Sequence, residues 1–170
     1  MFTILKTDRL KLRLLSVDDA EFVLRLLNEP SFIQHIGDRG VRTIDDARAY
    51  ILKGPIASYE NFGFGLWMVE TRPARVPIGI CGLLKRDVLD DVDIGYALLP
   101  EFCSQGYALE SASAVMSYAR EKLGLQRVVA VTNSDNRSSI RLLEKMGFKY
   151  ERMVRLSEDA PEIKLFAADV

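Results

Sequence analysis

Gln105-Gly106-Tyr107-Ala108-Leu109-Glu110 follows the strand-like run Val92-Asp93-Ile94-Gly95-Tyr96-Ala97-Leu98 and opens a helix rich in alanine and serine. A strand that turns through a glycine into a helix N-terminus is suited to binding phosphate. The first N–H groups of a helix have no internal partners, and the macrodipole is positive there. Gly106 lets a ligand approach the backbone with no side chain in the way. Many ordinary helices also begin after a glycine, so the turn takes its meaning from its surroundings.

Working outward, the helix runs from Gly106 to about Lys122, with Leu109, Ala112, Val115, Met116 and Ala119 as its apolar stripe. Its many small residues let it sit close against a sheet. Ahead of it, Phe62 to Glu70, Ile78 to Lys85 and Asp91 to Leu98 are spaced like a strand meander, with Thr71 to Pro77 as a hairpin loop. Behind it, Arg127 to Thr132 is a β-branched strand, and Ile140 to Met146 is a helix stopped by Gly147-Phe148. Strands near Lys149 to Leu156 and Ile163 to Ala167 close the chain. At the other end, Leu10, Leu12 and Leu14 alternate with Lys11 and Arg13 as an opening strand. Ser16 and Thr43 each cap a helix with aspartates in its first turn. Glu29-Pro30, Gly37 to Gly40 and Gly54-Pro55 read as turns between helices. The order β-α-α-β-β-β-α-β-α-β-β predicts an α/β fold of mixed α+β type. Its centre is a mixed sheet of about six to seven strands with helices on both faces.

Composition sets the outer limits. The chain has 170 residues, 48% apolar and 28% charged, with a formal net charge of −1. That suits one domain over residues 1–170 and argues against a nucleic-acid or membrane partner. Met1 to Arg9 carries early charges and lacks an apolar signal region, and no apolar run reaches membrane-spanning length. Cys81 and Cys103 form no disulfide framework and suit a reducing cytoplasm. A single histidine with no cysteine/histidine cluster predicts no metal site.

Four segments resemble the GNAT superfamily of N-acetyltransferases, and within it the ribosomal-protein alanine acetyltransferase (RimJ/RimL-like) branch. Thr7-Asp8-Arg9-Leu10-Lys11-Leu12-Arg13 is similar to the branch's opening strand. Asp93-Ile94-Gly95-Tyr96-Ala97-Leu98-Leu99-Pro100 is similar to its fourth strand, and Gln105 to Glu110 to its pyrophosphate loop. Asn136-Arg137-Ser138-Ser139-Ile140-Arg141-Leu142-Leu143-Glu144-Lys145-Met146-Gly147-Phe148 is similar to its penultimate helix. The resemblance implies that the fourth and fifth strands splay apart and that the pantetheine arm of acetyl-CoA lies between them like an added strand. It assigns the backbone of Leu98 and Leu99 to pantetheine. Cys103, Ser104, Gln105, Gly106, Tyr107 and Ala108 fall to the pyrophosphate, and Asn136, Arg137 and Ser139 to the cofactor arm. The loop departs from the family pattern at Cys103 and Ser104, neither of which blocks backbone donation.

The same resemblance implies acetyl transfer from acetyl-CoA to a primary amine by direct attack in a ternary complex. The acceptor is either a protein N-terminal amine or a small molecule. A non-catalytic acyl-CoA-binding regulatory module is the alternative, and a homodimer is open. Three side chains are candidates for the chemistry. Ser139 would donate a proton to the thiolate, with local backbone capping as its bland alternative. Glu158 would act as base, or is simply an exposed loop carboxylate beside Asp159. Asp93 would take the amine's proton through water, or is a structural partner for a cation. The tyrosine acid of other GNAT branches is replaced by Leu143. Cys103, before a helix N-terminus, has a route to a lowered pKa, with loop filling as the plainer reading. His35 lies in a loop that often borders the acceptor. Asp87, Asp90, Asp91 and Asp93 form an acidic group that could steer an amine, and Arg137 to Arg155 a basic group that could attract the CoA phosphates. Tyr59, Phe62, Phe64 and Trp67 read as core.

Overall fold

The alternating runs assemble into a single eight-stranded sheet in the order β1-β2-β3-β4-β5-β6-β8-β7. A computed structural model describes residues 2–170. The strands are β1 (Thr3–Lys6), β2 (Leu10–Arg13), β3 (Leu66–Thr71), β4 (Pro77–Leu84), β5 (Asp93–Leu98), β6 (Arg127–Thr132), β7 (Lys149–Val154) and β8 (Ile163–Asp169). The helices are α1 (Ala20–Leu27), α2 (Pro30–His35), α3 (Ile44–Ile51), α4 (Ala57–Phe62), α5 (Tyr107–Glu121) and α6 (Arg137–Lys145). All neighbouring strands are antiparallel except β5 and β6.

Strand alternation divides the core into two layers. On β3, Trp67 and Val69 face α5 and α6, where Ala112, Val115, Ala119 and Leu143 pack. Met68 faces the opposite way, among Val23, Leu26 and Leu27 of α1, Phe32 of α2 and Ala47 and Ile51 of α3. Trp67 lies edge-on to Tyr118 with ring centroids 5.2 Å apart, which locks α5 onto the sheet. Ser16 and Thr43 both make capping boxes, with Asp19 and Asp46 returning to the cap N–H.

Four details differ from the sequence expectation. β1 is an additional edge strand, joined to β2 with a register shift between Thr3 and Leu5. The run from Phe62 to Glu70 is not one strand: Gly63, at φ 76°, ends α4, and β3 starts only at Leu66. Phe62 is accordingly 48% exposed rather than core, stacked on Phe64. Gly54-Pro55 does not separate two helices. It lies in a π-helical turn, Leu52–Ile56, that carries α3 into α4. Proline has no N–H to give, and the wider turn absorbs the lost bond. Pro30 likewise starts the short helix α2 where a loop was expected, since proline suits a first helical position.

The predicted splay is present. β4 and β5 pair from Gly79↔Leu98 to Leu84↔Asp93, whereas β5 meets β6 only at Asp93↔Val129. Val129 N–H donates to Val92 O at 3.0 Å, and beyond that point β6 turns to β8. Asp93 and Ile94 are buried, but Gly95 to Leu98 are only half-buried because no strand covers their β6 side.

Candidate active site

The open side of β5 is the floor of the site. Leu99 N–H donates to Ile78 O of β4 at 2.8 Å. Backbone groups alternate sides along a strand, so Gly95 and Ala97 also turn to β4, while Tyr96 and Leu98 turn N–H and C=O into the gap. This corrects the expectation for Leu99. Its N–H is committed, its carbonyl accepts from Phe102 N–H at 2.9 Å, and the residue is 1% exposed. The free backbone belongs to Tyr96 and Leu98.

The loop after β5 presents its N–H groups. Ser104 and Gly106 take left-handed φ of 60° and 82°. Gly106 caps α5 with no side-chain hydrogen bond. Among the described residues no backbone acceptor takes the N–H of Ser104, Gln105, Gly106 or Tyr107. Cys103 is different: its N–H donates to Pro100 O at 3.1 Å, so it is not one of the free donors. The carbonyl side of the loop is clasped by Arg9. Its Nη1 donates to Gln105 O at 3.0 Å, its Nε donates to Glu110 at 2.7 Å, and the guanidinium lies 4.5 Å from the Tyr107 ring centroid. Glu110 also accepts from Thr7 Oγ1 at 2.5 Å and from Arg9 N–H at 3.0 Å. Burial opposes its charge, but these donors outweigh it and hold the carboxyl below its usual range. The Gln105 side chain is tied back to Glu101 O at 2.8 Å.

Across the gap, Asn136 caps α6 by accepting from Ser139 N–H at 3.3 Å. The Ser139 hydroxyl does not turn to local backbone. It meets the phenol of Tyr96 at 2.8 Å. Arg137 is exposed on the first turn of α6. Asn133, at the end of β6, donates to Gln34 O at 3.3 Å and His35 O at 3.2 Å, tying α2 to the mouth of the splay. His35 ends α2 half-buried, and its Nδ1 has no partner.

The carboxylates separate. Asp93 is 1% exposed and ion-paired to Arg86 Nε at 3.0 Å, while its Oδ1 has no partner. Burial raises its pKa, against the pull of Arg86. It sits where β5 and β6 still touch, on the face of β5 opposite Tyr96. Glu158 is exposed in the loop between β7 and β8 and makes no hydrogen bond or ion pair among the described residues. No hydrogen bond among the described residues therefore joins it to Ser139. Burial, with Glu101 nearby, raises the pKa of Cys103, opposite to the lowering expected before a helix N-terminus. Within the acidic group, Asp91 pairs with Arg127 at 3.0 Å and Asp93 with Arg86. On the α1–α4 side, a cleft of about 290 Å³ is bordered by Tyr50, Lys53, Asn61, Leu66 and Leu84.

Sequence reasoning missed the Tyr96–Ser139 pair and the Arg9–Glu110 clasp. Strand alternation put Tyr96 on the face with Ile94 and Leu98, but nothing local said that α6 would cover that face. Glu110 stood only as the last residue of the loop segment, with nothing to join it to Arg9.

A parallel strand pair that opens beside a helix N-terminus rich in free donors has the backbone groups to hold an extended, anion-bearing molecule. Residues 9–149 match the family described as the acetyltransferase (GNAT) domain, and the chain belongs to that family. It is an acetyl-CoA-dependent N-acetyltransferase. It is 35% identical over 156 residues to the N-acetyltransferase YoaA of Bacillus subtilis (strain 168), covering 91% of this chain and 88% of that one. An acetyltransferase from Agrobacterium tumefaciens str. C58 superposes with a TM-score of 0.83 at 24% identity, covering 99% of this chain and 94% of that one. The ribosomal L7/L12 α-N-protein acetyltransferase RimL, in complex with coenzyme A, also gives 0.83, at 19% identity, covering 99% and 98%. No described helix is long and apolar enough to cross a membrane.

Proposed function

We propose that the whole chain, residues 1–170, works as one transferase that holds acetyl-CoA in the gap between β5 and β6 while an amine approaches from the α1–α4 side and attacks directly. The observation that carries this reading is the open edge of β5, with Tyr96 and Leu98 backbone groups turned into it and the free N–H groups of Ser104 to Tyr107 at its end. Pantetheine pairs with Tyr96 and Leu98. The pyrophosphate takes the N–H groups of Ser104 to Ala108, and the Asn136 amide and Arg137 lie beside the arm. The Leu98 N–H polarises the thioester carbonyl, and Ser139 donates to the departing thiolate.

For the amine's proton we favour Asp93 over Glu158. Asp93 has a buried oxygen without a partner at the base of the gap, whereas Glu158 faces solvent. The RimJ/RimL-like reading extends the acceptor to a protein N-terminal amine, as in the neighbour named for ribosomal L7/L12. A cytoplasmic setting agrees with two free cysteines.

Calorimetry with acetyl-CoA, and ATP as control, tests the binding assignment. Acetyl-CoA binding with ATP silent is the expected result. Thiol release is then followed with free-N-terminus peptides and with polyamines. Ser139→Ala should lower kcat by about 10²-fold with acetyl-CoA affinity unchanged. Binding with turnover on neither kind of amine would overturn the proposed acceptors.

A further inference from the structure

Tyr96 and Ser139 come from opposite sides of the splay, one from β5 and one from the first turn of α6, and their oxygens are 2.8 Å apart. Neither oxygen has another partner among the described residues. A helical serine ordinarily turns its hydroxyl back to a carbonyl one turn earlier. Ser111 in α5 does so, to Tyr107 O at 2.9 Å. Ser139 sits in the first turn of α6, its N–H capped by Asn136 and its hydroxyl paired across the gap with the phenol. Two hydroxyls that share one hydrogen bond leave one hydrogen free. Either hydroxyl can donate, and a phenol is a far stronger acid than an aliphatic alcohol, which favours Tyr96 as the donor and Ser139 as the acceptor.

We propose that Tyr96 is a positioning residue for acetyl transfer: its phenol donates to Ser139 Oγ and thereby turns the serine's own hydrogen into the gap, toward the sulfur of the bound thioester. This rests on the role given to Ser139 above. As the new C–N bond forms and the C–S bond breaks, the bonding electron pair goes to sulfur. The Ser139 hydrogen bond stabilises the thiolate as it leaves, and Ser139 and Tyr96 keep their own hydrogens. The amine gives its proton up to solvent and the thiolate takes one from solvent, giving free thiol. Burial disfavours a phenolate and raises the phenol to about 12, so Tyr96 keeps its hydrogen at neutral pH.

The test needs no acceptor. With coenzyme A bound, a hydrogen bond to sulfur stabilises its thiolate, so the pKa of the bound thiol reports the direction of the Ser139 hydrogen. It is read from thiolate ultraviolet absorbance as a difference against ligand-free protein. We expect the bound thiol to titrate about one unit lower in wild type than in Ser139→Ala. Tyr96→Phe should lose most of that shift. Tyr96→Phe/Ser139→Ala should lose no more than Ser139→Ala alone, and Ser139→Thr should retain the shift. Shifts that add in the double variant, or a Tyr96→Phe protein that titrates like wild type, would overturn the inference while leaving acetyl-CoA binding intact. Failure of coenzyme A to bind wild type would instead overturn the site on which the inference rests.

Discussion

At the scale of the residue, the most constrained side chain is Arg13, 3% exposed between two carboxylates. It donates to Asp19 at 2.8 Å and to Glu70 at 2.5 Å, joining the turn before α1 to β3. Burial weighs against its charge, but the two carboxylates outweigh it and raise its pKa. Removing one partner of such a network strands the others. Arg13→Met should therefore cost about 3–5 kcal/mol of unfolding free energy, measured by urea titration. Asp19 follows the opposite sign. Burial raises its pKa, but Arg13 and the Ser16 N–H lower it further, so it ends below its ordinary 3.8. Its contribution to stability is full above 3.8 and is lost as pH falls through the lower folded value. Asp19→Asn should be less stable at neutral pH and lose part of the wild-type decline in acid. None of this was legible in the sequence, where Arg13 read as the polar side of an alternating strand. Alternation gives a side chain's face, not the charges that await it there.

At the scale of the element, two devices shape β5 and its loop. Gly79 on β4 faces Leu98 so closely that an added Cβ would lie 2.2 Å from Ala97 O and 2.9 Å from Leu98 Cα. Both neighbours are backbone, so Gly79→Ala should displace β5 at the floor of the gap and weaken acetyl-CoA binding as well as stability. Calorimetry and thermal unfolding would each report a loss. The second device is the Thr7–Arg9–Glu110 clasp, which holds the carbonyl side of the loop and leaves its N–H side free. Glu110→Ala should raise the acetyl-CoA Kd about tenfold, corresponding to one charge-assisted hydrogen bond, with little effect on kcat. The sequence marked both segments, Thr7 to Arg13 and Gln105 to Glu110, but as separate motifs. Their contact spans 103 residues from Thr7 to Glu110.

For the whole molecule, one sheet separates two working faces. α5 and α6 pack beside the gap between β5 and β6, while α1 to α3 cover the other face and α3 and α4 border the cleft. The faces are coupled where Asn133 at the end of β6 grips the last carbonyls of α2. Asn133→Ala should loosen α2 and raise the acceptor KM several-fold, while acetyl-CoA affinity stays near wild type. Steady-state kinetics with both substrates varied would separate the two effects. An equal loss for both substrates would mean that Asn133 supports the gap itself.

The sequence alone determined every strand but β1, with β3 read too long at its start, together with the caps and the loop after β5, because each depends on residues within about one turn or one pleat of each other. Ser16, Thr43, Gly106 and Gly147 mark their element ends through backbone geometry and local hydrogen bonds. The tertiary structure alone decided that Leu99 is committed to β4, that Asp93 is buried against Arg86, and that Tyr96 meets Ser139. It also decided where α2 and α4 begin and end around their prolines and glycines. The physical reason is sequence distance: Tyr96 and Ser139 are 43 positions apart. No local propensity encodes which helix will lie over which open strand, since that is settled by packing of the whole core.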